Sequence, residues 1–190
     1  MDVLAGRTSS TSLPVVDGGL LREQAEYWQE TLADAPEPLE LPADRPRPAQ
    51  PDPARAVVRL ELDGELAAAL KALGKRHSSH ISTVLLAGWA AVLGRLSGQT
   101  DLVIGCFENA LPVRVDLSGS PTAVELLARV DTRVRGALRN QDGAAASATP
   151  LFRAAFAWRD APGNAELPGP QLDAAAGLDL WLELREEEGG

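Results

Sequence analysis

Cysteine is almost missing from this sequence. The single thiol, Cys106, excludes an internal disulfide, a multi-cysteine zinc site and a CxxC redox pair, and it fits a reducing compartment. Histidine is nearly as scarce, with only His77 and His80, so few groups are available to take a proton or hold a metal. Basic residues are in deficit, 18 against 27 acidic ones, and the formal charge of −9 repels nucleic acid and anionic membrane. Long apolar runs are absent too. Residues 84–94 form the most apolar stretch, well short of the roughly 20 residues that span a bilayer. The opening MDVLAGRTSSTSLPVVDGG has neither a basic leader nor an apolar segment of signal-peptide length, so no export signal is expected. GxSxG, GxxxxGK[ST] and GxGxxG are all missing, which leaves nucleophile-elbow and phosphate-loop chemistry without a motif. A soluble, cytoplasmic protein is the expectation.

What is present is ordinary for a folded domain: 45% hydrophobic and 24% charged residues in a chain of 190. That length suits one domain, or one lobe of something larger. Residues 1–19 lack usable periodicity and are expected to be a flexible lead-in. Leu21, Ala25, Trp28 and Leu32 then recur at helical spacing. Residues 35–53 hold seven prolines in nineteen positions, which rules out a helix or a central strand. Two readings of this segment stand: a linker between two units, or an extended strap anchored by Leu39 and Leu41.

From Ala56 the pattern has period two, with Val58, Leu60 and Leu62 alternating with Arg59, Glu61 and Asp63, and a strand is expected. Leu66, Leu70 and Leu73 give a helix closed by Gly74 and KRH, and residues 82–96 a second helix, apolar nearly all round and therefore central. Strands follow at 101–105 and 111–117, then a helix opened by Ser-Pro-Thr and striped with Leu126, Val130, Val134 and Leu138. PLFRAAFAWRD predicts a strand with Phe152, Phe156 and Trp158 on one face, and LDLWLEL a last one, before an acidic tail at 185–190. The fold class is α/β: a mixed sheet of about five strands packed with about four helices.

Candidate chemistry is thin. His77 and His80 are spaced for a metal pair on one helical face, but they sit beside Lys75 and Arg76, where cations gather at a helix C-terminus. Cys106 follows a strand end, yet no activating base or cation neighbours it in sequence, so a small buried apolar role is expected. Arg45 and Arg47 in DRPRP suit an anion or an internal pairing with Asp44.

EYWQETLADAPEPLELPADRPRP, HISTVLLAGWAAVLGRLSGQTDLVIG, NALPVRVDLSGSPTAVELLARV, NQD and PLFRAAFAWRDAP, taken in order, resemble the second half of a condensation domain of non-ribosomal peptide synthetases, over about Leu20 to Leu184. The resemblance implies one lobe of a fold like chloramphenicol acetyltransferase, in which two lobes meet in a V and carrier-bound substrates react in the tunnel between them. It also implies an HHxxxDG motif in the other lobe for amide formation, and these residues contain no adjacent His pair. Departures accompany it. The family's loop and helix between the strand at 101–105 and its FVNTLPLR phrase, which survives here as residues 107–114, are missing, and a second helix is missing between Asp142 and Pro150. Connections are lost while strands and apolar helices keep their periodicity.

The resemblance and its departures together imply a non-catalytic partial condensation domain acting as an interaction or packing platform, with no catalytic, cofactor or metal residues. An adenylation domain, a carrier protein, a tailoring enzyme or a second copy is the expected partner. Trp28, Arg45, Arg47, Asn109, Arg114 and Trp181 are the candidate contacts. The alternative is one lobe of a split acyltransferase completed by a separate chain that carries HHxxxDG.

Overall fold

The computed structural model describes residues 18–45, 56–106, 111–146, 152–159 and 178–186. The first helix, α1 (Gly18–Thr31), buries Gln24, Trp28 and Thr31 on one side. After it the chain runs extended, and Leu39, 3% exposed, enters the core. Gln99 holds this stretch from below, accepting from the Glu40 N–H at 3.0 Å. The strap reading therefore holds for residues 36–45, while the prolines beyond them lie outside the described residues.

Helix α2 (Gly64–Arg76) begins where the Asp63 carboxylate accepts from the Leu66 N–H, satisfying one of the donors that a helix start leaves free. Helix α3 (Ile81–Ser97) follows, capped by the His80 ring and ended by Gly98 at φ 74. That left-handed conformation is one glycine adopts without a Cβ penalty. Ala90 and Leu93 of α3 are fully buried, as its apolar sequence requires. Helix α4 (Ala123–Arg139) opens with a complete capping box between Thr122 and Glu125.

Four strands form one mixed sheet in the order β2-β1-β3-β4, with β1 Asp101–Cys106, β2 Leu111–Asp116, β3 Ala154–Arg159 and β4 Leu180–Arg185. β1 and β2 are antiparallel neighbours whose last pair is Cys106 with Leu111. β3 lies parallel to β1 and β4 parallel to β3. Leu102, Ile104 and Cys106 of β1, Leu111, Val113 and Val115 of β2 and Phe156 of β3 meet Leu86, Leu93 and Val130 from the helices in a single core.

Two expectations fail. Residues 56–63 are extended but join no sheet among the described residues, so four strands stand where about five were expected. Val58 and Leu60 are 80% and 73% exposed. Alternation fixes which face a strand would bury; it supplies neither a backbone neighbour nor a layer to cover that face. The second failure concerns Phe152, which precedes β3. A Cβ on Gly105 would run into the Phe152 ring, while Phe156 pairs with Cys106. Neighbouring residues on a strand point to opposite faces, so Phe152 and Phe156 cover opposite faces of the sheet.

Candidate interaction surfaces

Arg114 projects from β2 to the end of α1. Its Nε and Nη2 hold the Asp101 carboxylate at 3.0 and 2.7 Å. Nη1 donates to the Ala33 carbonyl at 2.7 Å and to that of Thr31, and Nη2 reaches the Asp34 carbonyl at 3.1 Å. Carbonyls at a helix end lack intrahelical partners, and a planar guanidinium can serve several of them while remaining paired with a carboxylate. The hydrogen bond to Asp101 raises the Arg114 pKa further above its ordinary value, so its charge is permanent. Trp28 fixes the same helix from its other side, donating from Nε1 to the Asn140 carbonyl at 2.7 Å. Both residues were expected at a partner surface. Trp28 is 6% exposed and Arg114 is spent inside the lobe, so they position α1 instead.

Of the other expected contacts, Arg45 is exposed and Trp181 is half-buried on β4, while Arg47 and Asn109 lie outside the described residues. The structure does not gather Arg45, Trp28 and Trp181 into one patch by any bond. The acid tail contributes Glu186, which pairs with Lys71 of α2.

The groups that could do chemistry have structural work. Cys106 is fully buried, and burial pushes its thiol far above the ordinary cysteine value, away from the nucleophilic thiolate. The His80 Nδ1 faces the Ser82 hydroxyl at 2.8 Å, and its ring meets Trp158 edge-on with centroids 6.1 Å apart. His77 is the residue that ends α2. The His80 ring, committed to a cap, is poorly placed to ligate a metal, and no cluster of three or more His, Cys, Asp or Glu forms among the described residues.

A groove of about 340 Å³ between α1 and α4, lined by Tyr27, Asp131, Thr132, Arg133, Arg135, Gly136 and Arg139, was not anticipated from the sequence. A Cβ on Gly136 would collide with the Tyr27 hydroxyl, so a glycine there lets the phenol lie against α4. Arg135 is engaged, with Asp131 at 2.6 Å and the Ser78 carbonyl at 2.7 Å. The three arginines within seven residues were visible as a cationic run on the polar side of α4; the arrival of Tyr27 from more than a hundred residues earlier was not.

Residues 18–107 match the family model for the condensation domain. Malpinin synthetase of Mortierella alpina is 37% identical over 92% of this chain, which spans 3% of its length. Among solved structures, the complex of the X-domain and OxyB from teicoplanin biosynthesis aligns with a TM-score of 0.71 at 29% identity, covering 88% of this chain and 44% of that one. The first condensation domain of the CDA synthetase shares the fold at a TM-score of 0.57 and 18% identity, over 76% of this chain and 36% of its own. These relatives and the four-stranded mixed sheet define an α/β lobe of the chloramphenicol-acetyltransferase type. The chain belongs to the condensation-domain family of non-ribosomal peptide synthetases. No single helix among the described residues is long and apolar enough to cross a membrane.

Proposed function

We propose that this lobe is a non-catalytic interaction platform in non-ribosomal peptide biosynthesis, and that its partner is a tailoring enzyme of the same pathway. The observation that carries this reading is the likeness, over 88% of the chain, to an X-domain whose structure was solved in complex with OxyB. The side chains agree with it: the only thiol is buried, and both histidines stand at helix ends. An adenylation domain, a carrier protein and a second copy are the competing partners. The boundaries belong to the same proposal, with residues 1–19 a flexible lead-in, 20–184 the lobe and 185–190 an acidic tail. So do Arg45, Arg47, Asn109 and Trp181 as partner contacts.

Size-exclusion co-elution tests this reading, with the purified chain offered in turn a tailoring enzyme, an adenylation domain and a carrier protein from its pathway. Co-elution with the tailoring enzyme is the expected result. Binding only to one of the other proteins, or to none, overturns the assignment.

A further inference from the structure

We infer that the groove between α1 and α4 is a docking site for an extended acidic segment of a partner protein. Donors without acceptors converge there. The guanidiniums of Arg133 and Arg139 line the groove and form no hydrogen bond or ion pair with a described residue, Arg133 acting on the Asp116 carboxylate only through space, and the Tyr27 hydroxyl beside them has no hydrogen-bond partner among the described residues. Two guanidiniums and a phenol offer hydrogen-bond donors and permanent positive charge, and a carboxylate is the acceptor-only group that matches both. Asp131 already serves Arg135 and the Ser79 hydroxyl and holds neither the Arg133 nor the Arg139 guanidinium.

Helix-dipole stabilisation does not account for this arrangement. Arg139 stands in the last turn of α4, where a cation is favourable, but Arg133 lies six residues before the end, outside the turn over which that effect acts. The groove also reverses the sign of the whole chain, which carries −9. Against that net negative charge a local cluster of arginines gives an acidic partner a favourable approach, so the contact sets orientation as well as affinity. The shape fits a side-on segment: the groove is open, follows the helix, and owes its aromatic floor to Gly136.

This inference rests on the platform reading for the partner's identity, and a peptide probe separates the two, since a whole partner protein could still co-elute through another surface. The experiment is fluorescence anisotropy with the intact chain and a dye-labelled hexa-aspartate peptide at low salt. The peptide should bind, added salt should weaken it, and R133E/R139E should weaken it at least about tenfold, as losing two charge-assisted contacts requires. R133K/R139K should retain most of the binding, and R22E on the exposed part of α1 should change nothing; circular dichroism checks that each variant is folded. Failure of the unaltered chain to bind, or equal binding by R133E/R139E, overturns the assignment. So does tighter, R133E/R139E-sensitive binding of an oligothymidylate, which would mark a general anion site.

Discussion

Residues 56–62 and β2 both alternate apolar and polar side chains, and the lobe treats them in opposite ways. In β2, Leu111, Val113 and Val115 are each 1% exposed, with β1 paired alongside and α4 over the face. Val58, Leu60 and Leu62, in the stretch that leads into α2, are 80%, 73% and 46% exposed. The residues are equally apolar, so the difference comes from the neighbours. A strand is stabilised by cross-strand pairs and by a layer that removes its apolar face from water, and sequence alternation promises neither. One region is the core of the lobe; the other is apolar surface awaiting cover.

The largest expected effect comes from the same truncation made in both regions. Leu111→Ala should lower stability by about 2–5 kcal/mol by opening a cavity, whereas Leu60→Ala should stay within about 0.5 kcal/mol, both read from urea unfolding. Comparable losses would mean that residues 56–62 are packed in solution and would erase the contrast.

A smaller effect concerns the clamp that brings α1 onto β2. Arg114→Ala leaves the Asp101 carboxylate and the carbonyls of Thr31, Ala33 and Asp34 without their donor, at a cost of about 2 kcal/mol. Arg114→Lys should recover only part, because an ammonium cannot grip a carboxylate side-on and still span several carbonyls. Thermal unfolding of the two variants ranks them. Full recovery by lysine would show that charge alone holds α1.

The smallest effect is expected at the helix caps, where Thr122→Ala should cost about 1 kcal/mol. Its acid dependence carries a sign. The Thr122 N–H and hydroxyl hold the Glu125 carboxylate below its ordinary value, and Ser118 does the same for Asp116. A folded pKa below the unfolded one gives stability that is present above the ordinary carboxylate range and is lost as pH falls through the folded value. The native chain should therefore weaken on acidification, and Thr122→Ala should show a shallower fall, followed by unfolding midpoints between pH 6 and pH 3.

Much of this fold was legible because the informative residues act locally. The four helices carry 3.6-residue stripes and recognisable starts, such as Thr122 with Glu125 three residues on and Asp63 ahead of Leu66. The strands expected at 101–105 and 111–117 from their apolar runs fall at 101–106 and 111–116, where they pair antiparallel. What failed depends on contacts distant in sequence. Nothing near Arg114 announces that its guanidinium will meet residues 31–34, about eighty positions earlier. Trp28 looked like an anchor for a partner because a lone tryptophan on an amphipathic helix serves a core and an interface equally well; only Asn140 decides. The groove combines both cases, with a cationic run readable on α4 and a tyrosine placed there by the tertiary fold.

A direct assay decides whether this lobe joins substrates or only holds a partner. Aminoacyl-loaded donor and acceptor carrier proteins should be incubated with the chain, with and without a bound tailoring enzyme, and amide product followed by mass spectrometry. The account predicts product at the background level of the carriers alone while the partner remains bound. Product above that background, dependent on the chain, would contradict it and make the lobe part of a working condensing enzyme.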